Sequence, residues 1–293
     1  MKNNTLEDST YISFIEIALG LVRLIPPYSS KYSKRTFTQQ QLFVLLILKQ
    51  KIRLSYERLI DDLKTRSNIL LMLGLSKLPR PSTLRMFARR IKPIFVELLI
   101  GGRINRTKKS KLKIGIDSTG FELKDGSFYY ARRAGLSTTY KKYLKLSISA
   151  DLDKQLVVAT KVRKSKSNDT IDFVELAKER SKHKAVKSIA ADKGYDSEKN
   201  HKFVIRTLKA KSLIAQRDFG SKRIQRNRRF RNRAKKDFNI KEYHQRSKVE
   251  TIFYVLKHLF GPIIYARKWL MQKKEILFRV LAYNIHRLVI LRI

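Results

Sequence analysis

Between Tyr243 and Lys257 the chain reads YHQRSKVETIFYVLK, and four of its side chains are spaced to do chemistry together. At about 100° per residue the stretch predicts one helix with two faces. Val249, Ile252, Phe253, Leu256, Leu259 and Phe260 share an arc of about 120°, wide enough to dock on a core. Tyr243, Arg246, Glu250 and Lys257 fall within about 60° of one another, on the flank of that apolar stripe. Tyr243 and Lys257 would stand about 21 Å apart along the axis. The helix would then present one carboxylate at a half-buried edge, with cations a turn above and two turns below. A carboxylate can bind a hard metal ion. The cations can hold phosphates of a chain running alongside. The plain alternative is a surface helix whose Glu, Arg and Lys are simply solvated.

Two aspartates upstream close apolar strands. Leu112–Asp117 (LKIGID) is a short strand ending in Asp117-Ser118-Thr119-Gly120. Val186–Asp192 (VKSIAAD) ends in a second aspartate, followed by Lys193-Gly194-Tyr195-Asp196. Between them Tyr143–Ala150 alternates as a half-buried strand should, through Leu144, Leu146, Ile148 and Ala150. Asp125-Gly126 is a turn signal. Asp151–Lys154 makes a tight connection to a strand over Gln155–Val162. Asn168 or Asp169 would cap a helix over Ile171–Ser181. Ser197–Leu208 reads as helix and Ser212–Gln216 as strand. Three largely antiparallel strands, then helix, strand, helix, strand, match a ribonuclease-H-like α/β topology. Neighbouring strand ends in such a sheet would bring Asp117 and Asp192 together. Asp151, Asp153 and Asp196 are competing acids, and an Asp at a strand end commonly caps a turn.

Residues 1–105 read as an all-α region ahead of the sheet. Tyr11–Ile25 is an apolar-periodic segment stopped by Pro26-Pro27. Thr38 can cap Gln39–Lys51. Ser55–Lys64 and Ser67–Leu73 follow, with Gly74 as a stop. Leu84–Leu99 is a further helix, capped by Ser82, whose open side carries Arg85, Arg89, Arg90 and Lys92. Short helices and a basic helix suit a helix-turn-helix module in a DNA groove; a helical bundle with a basic rim fits equally. Gly101-Gly102 and the basic run Arg103–Lys113 form the natural linker. The α/β domain then takes 106–293, with a basic segment at 217–240 and a C-terminal amphipathic helix at 272–292 expected on the sheet. Residues 221–236 hold nine Lys or Arg and no acid. That reads as a solvated basic loop, with Arg228, Arg229 and Arg231 gripping phosphate.

Composition narrows the function classes. The chain has 293 residues and a net charge of +42. An enzyme acting on small molecules has no use for that self-repulsion; a polyanion partner explains it, nucleic acid first and a membrane surface as the weaker alternative. No segment reaches the roughly 18 apolar residues of a spanning helix, and MKNNTLEDST is not a secretory start. There are no cysteines, which excludes disulfides and thiolate zinc sites and fits a reducing, cytoplasmic setting.

Tyr243-x2-Arg246-x3-Glu250-x6-Lys257 resembles the signature around the last catalytic residue of DDE transposases from prokaryotic insertion sequences. Asp117-Ser118-Thr119 and Ala191-Asp192-Lys193-Gly194-Tyr195-Asp196 resemble the first and second motifs of the same family, in the same order. The resemblance spans roughly Lys113–Lys257 and implies a ribonuclease-H-like catalytic domain. It implies that Asp117, Asp192 and Glu250 are catalytic and bind two Mg²⁺ ions, with Mn²⁺ able to substitute. Such ions activate a nucleophile and neutralise a leaving oxyanion. It implies that Tyr243, Arg246 and Lys257 hold phosphates of the transposon end, and that Gly194 and Tyr195 shape the turn after the second Asp. Several relatives carry a β-rich insertion between the second Asp and the Glu; here there is only the basic stretch.

The function implied is metal-dependent cleavage at transposon ends and strand transfer into target DNA. The partners would be double-stranded DNA, as inverted repeats and target, and a second copy of the chain in the DNA complex. A structure-selective nuclease on the same fold, or a non-catalytic basic DNA-binding protein, are the alternatives.

Overall fold

The structure, a computed structural model, describes residues 4–102, 111–124, 143–164, 170–181, 185–217 and 228–292. By its own contacts the chain forms two compact units. One comprises Met1–Leu99, Leu256–Gly261 and Arg267–Ile293; the other comprises Ile100–Val255 and Pro262–Ala266. The turn expected at Asp125-Gly126, the caps at Asn168 or Asp169, most of the linker and 218–227 of the basic segment lie outside the described residues. No helix among the described residues is long and apolar enough to cross a membrane.

Six helices open the chain: α1 (Asn4–Val22), α2 (Gln39–Ile52), α3 (Tyr56–Lys64), α4 (Ser67–Met72), α5 (Pro81–Arg90) and α6 (Pro93–Gly102). Thr38 caps α2 in a reciprocal box: its hydroxyl accepts from the Gln41 amide, and the Gln41 side chain accepts from the Thr38 amide. Leu42 through Leu48 are all buried, so α2 is apolar all round and sits inside its unit. Ser55 caps α3. Gly74, at φ +61°, ends α4 in the left-handed conformation that glycine adopts freely.

The expected helix over 84–99 is two helices. Pro93 has no amide to donate and disfavours helical backbone before it, so α5 stops at Arg90 and α6 starts afresh. Ser82 is no cap. Arg80 holds that position without a side-chain bond, and Pro81 opens the first turn.

The other unit is built on a sheet: β1 (Leu112–Leu123), β2 (Tyr143–Asp151), β3 (Leu156–Arg163), α7 (Thr170–Ser181), β4 (Val186–Ala191), α8 (Glu198–Lys202), β5 (Lys211–Ile214), α9 (Arg229–Lys236), α10 (Ile240–His244), α11 (Ser247–Phe260), of which the residues up to Val255 belong to this unit, and the two-residue β6 (Ile263–Ile264). The strand order is β3-β2-β1-β4-β5, with β6 also pairing β1. β1 runs antiparallel to β2 and parallel to β4, and β5 is parallel to β4. This mixed sheet with its helices is the ribonuclease-H-like arrangement expected. β6 was not foreseen; it adds to the far end of β1 at Glu122 and Leu123. The helix expected over 197–208 is α-helical only to Lys202 and then widens into a π turn, Phe203–Thr207.

Alternation along β1 separates two faces. Leu112, Ile114 and Ile116 join Phe173, Leu176 and Ala177 of α7 and Val204 in one buried cluster. Gly115 and Asp117 point to the opposite face. At the start of α7, Asp172 is fully buried and satisfied: Ser147 Oγ donates at 3.0 Å and Arg163 Nε at 2.7 Å.

The last helix, α12 (Trp269–Arg292), belongs to the first unit and packs on α1 and α2. That corrects its expected docking on the sheet. Every residue from Ile276 to Ile285 is buried, so the helix needs neighbours on several sides, and other helices supply them. Phe278 meets Phe43 of α2 with ring centroids 5.1 Å apart. The buried Lys274 ammonium donates to the Ala88 and Arg89 carbonyls at 2.9 and 2.8 Å, satisfying the end of α5.

Candidate active site

Asp117 lies within a strand, not at the end of one. β1 continues to Leu123 because β2 partners it as far as Glu122↔Tyr143. What ends beside Asp117 is β4: the parallel pairing closes at Ile116↔Ala191. The next residue on each strand is an aspartate. Asp117 therefore emerges where its β4 neighbour stops, and Asp192 begins the turn that follows. Asp117 is half-buried and Asp192 exposed. The Ser118 amide donates to Asp117 Oδ1 at 2.8 Å.

Glu250 stands in the first turn of α11. The single helix expected from Tyr243 to Lys257 is broken: α10 ends at His244, and α11 starts at Ser247. The joint is tight, with the Arg246 amide bonded to the Tyr243 carbonyl and the Val249 amide to the Arg246 carbonyl, at 2.9 and 2.8 Å. Past it, Val249, Ile252, Phe253, Leu256 and Phe260 are buried as the apolar stripe required, while Leu259 is only half-buried.

The break turns Arg246 inward. Its Nη1 donates to Asp117 Oδ2 at 3.0 Å and its Nη2 to Glu250 Oε1 at 2.8 Å. One guanidinium thus joins a carboxylate on the sheet to one on the helix. The Tyr243 ring lies 6.0 Å from the same guanidinium. Lys257 sits two turns beyond Glu250 on α11, half-buried.

Gly115 sets how closely α11 approaches. A Cβ there would stand 2.5 Å from Val249 Cγ2 and 2.6 Å from Leu152 Cδ2. Gly115 shares the Asp117 face of β1, and Val249 precedes Glu250, so this contact brings the helix carboxylate down to the strand carboxylate. Gly115→Ala is expected to lower stability by about 1–3 kcal/mol through overpacking. Urea unfolding measures it, and a variant as stable as the parent would mean that the close approach matters little.

Electrostatics tie the three acids together. Burial, first, pushes the Asp117 carboxyl above its ordinary value; the Ser118 amide and Arg246 pull it down, and the charges of Asp192 and Glu250 push it up again. Among the described residues no group of three or more acidic or histidine side chains is placed to hold a metal ion, so Asp117, Asp192 and Glu250 do not converge as a ready-made triad. A cation nonetheless sits between two of the carboxylates: the Arg246 guanidinium. Carboxylate oxygens are the donors that Mg²⁺ takes, commonly one or two per ion. The donor chemistry therefore fits a divalent ion.

The competing acids have other tasks. Asp151 Oδ1 accepts from the Asp153 and Lys154 amides, and Asp153 pairs with Lys113. Asp196 is buried beneath the turn after Asp192. Arg231 reaches it through Nε and Nη2, His201 Nε2 lies 3.1 Å away, and the Arg217 amide donates at 2.7 Å. The Glu198 carboxylate accepts from the Phe230 and Arg231 amides at the start of α9. The turn itself is a short 3₁₀ segment, Lys193–Tyr195. Its Tyr195 ring is buried 5.8 Å from the Phe173 ring.

This network corrects the reading of the basic segment. Residues 229–236 are a docked helix, and Arg231, only 5% exposed, is committed to Asp196 and closed to phosphate. Arg229 is exposed on the same helix and Arg228, which precedes it, is half-buried. On α5, Arg85 and Arg89 are both exposed one turn apart, with Arg85 Nη2 donating to Glu57 at 2.7 Å. Sequence reasoning missed Gly115 and Glu198, and it named Asp196 only as a competing acid, not as the partner of Arg231. Only Gly115 carried a local signal, since a glycine inside a strand marks close approach by another element.

Residues 108–285 match the family model described as the transposase DDE domain. Among curated proteins none matches the chain.

Proposed function

We propose, from the premise that the chain belongs to the DDE transposase family, that it cleaves both ends of a DNA element and joins the freed 3′-hydroxyls to target DNA in cut-and-paste fashion. A transposase is an enzyme that acts on DNA, and divalent ions are the family's usual cofactors. The single observation that best supports this site is the Arg246 bridge between Asp117 and Glu250. It holds two of the three expected acids at one cation's reach, beside Asp192.

In this reading Asp117, Asp192 and Glu250 hold two divalent ions, Mg²⁺ in the first instance. Bound ions of that kind supply Lewis acidity to the attacking and leaving oxygens. The protein's own residues do the rest. Asp117 fixes the site to the rigid centre of the sheet, and the buried Asp196 cluster fixes the turn that carries Asp192. Arg246 and Lys257 neutralise phosphates along α11, and Tyr243 packs beside them. Arg85 and Arg89 on α5 face DNA as part of a helical region that recognises the inverted repeats, and Arg228 and Arg229 add backbone contacts. Two ends must be cut together, so a homodimer forms on DNA, in the cytoplasm.

Inverted repeats flanking the gene identify the substrate. A duplex carrying that end, incubated with the full chain and Mg²⁺, is expected to yield cut ends and then strand-joined DNA. Cut ends with no joined product would make the protein a nuclease. Binding that survives chelation, with no cleavage under any divalent ion, would make it a DNA-binding protein only.

A further inference from the structure

We propose that Arg246 is a built-in counter-ion: it holds Asp117 and Glu250 in the DNA-free protein and releases them when a DNA phosphate draws it away, so that metal loading waits for DNA. This rests on the reading of Asp117 and Glu250 as metal ligands.

Three features of the site lead there. The guanidinium uses two different nitrogens on two different carboxylates, Nη1 to Asp117 at 3.0 Å and Nη2 to Glu250 at 2.8 Å. It therefore stands where an ion shared by those carboxylates would stand, and two cations at that separation in a half-buried site repel each other. Second, the side chain keeps a route out. Its relative exposure is 20%, and Glu250 beside it is 58% exposed. Third, Arg246 sits on the joint between α10 and α11, outside both helices. It can re-aim without unwinding either, and the Tyr243 ring offers its face along the way. A planar guanidinium fork suits a phosphate as well as it suits a carboxylate. Phosphate binding and carboxylate release then become one event.

Such coupling is reciprocal: whatever factor DNA adds to metal affinity, metal must add to DNA affinity. A simple electrostatic attraction of DNA to a basic protein would not tie that factor to one arginine.

The test is Mn²⁺ titration of the full chain, with free Mn²⁺ followed by its paramagnetic resonance signal, with and without end duplex. Wild type is expected to bind Mn²⁺ about tenfold more tightly with duplex than without. Arg246→Ala is expected to bind it about tenfold more tightly than wild type in the absence of DNA, and to lose most of the duplex effect. Arg246→Gln should behave alike and serves if the alanine variant does not fold. Equal wild-type affinity with and without duplex overturns the proposal, as does DNA-free affinity unchanged in the Arg246 variants. Asp117→Asn separates the two levels. If it abolishes Mn²⁺ binding while Arg246→Ala changes nothing, the counter-ion role falls and the metal site stands. If Asp117→Asn leaves Mn²⁺ binding intact, the site reading fails and this inference with it.

Discussion

Asp117→Ala, Asp192→Ala and Glu250→Ala are each expected to cut Mg²⁺-dependent cleavage of element-end DNA by about a thousandfold or more. The expectation follows from charge. The attacking oxygen must lose a proton and the leaving oxygen must gain negative charge, and the acids near the turn and strand ends that compete for the ions have tasks elsewhere. Asp151, Asp153 and Asp196 are each bound to amides or cations of their own. The three losses should not add. Once one acid is gone, removing a second should cost little more, because the acids act as a unit. Fold is not at issue for Asp192, which is exposed in a turn, or for Glu250, exposed on α11. Asp117 leaves Arg246 its bond to Glu250. Gel assays of cleavage at saturating Mg²⁺ decide the matter, and any one variant keeping a tenth of the activity or more would remove that residue from the mechanism.

Arg231→Ala is expected to cost about 3–5 kcal/mol of stability, because it strands a buried carboxylate. Asp196 shows why. Burial alone would push its carboxyl up; His201, Arg231 and the Arg217 amide outweigh that and hold it at about 2, against an ordinary 3.8. The folded value lies below the unfolded one. The stabilisation is therefore complete above pH 3.8 and is lost as pH falls through about 2. Without Arg231 that acid-side loss should shrink, since less is left to lose. Urea unfolding at neutral pH and across the acid range checks both. Arg229→Ala, two residues earlier on the exposed side of the same helix, should change stability by no more than about 0.5 kcal/mol. If the two variants are equally stable, the Asp196 pair contributes little.

The sheet was legible because strands announce themselves by alternation, and β2, β3, β4 and β5 were each placed within a few residues. The course of β1 beyond Asp117 was not. Ser118-Thr119-Gly120 looks like a turn, and only pairing with β2 extends the strand through it. The acids were legible as types and the motif order as a resemblance, but nothing local shows that β4 stops beside Asp117. The break before α11 was hidden for a physical reason: apolar spacing continues smoothly through Tyr243 and Val249, so the helical period never falters where the hydrogen bonds do. Pro93, by contrast, was a plain signal for the break between α5 and α6. Asp196 and Arg231 are 35 residues apart, and no pattern in a single chain links such a pair.

The register of β1 against β4 has a consequence for how this chain can change length. Loops on either side of the sheet can grow or shrink without disturbing the acids. An extra residue between Leu112 and Ile116 cannot be absorbed so easily, because side chains alternate. It would turn Asp117 over into the greasy layer beneath and leave an isoleucine facing the helix. Natural variation in length should therefore collect between the strands and spare those five residues.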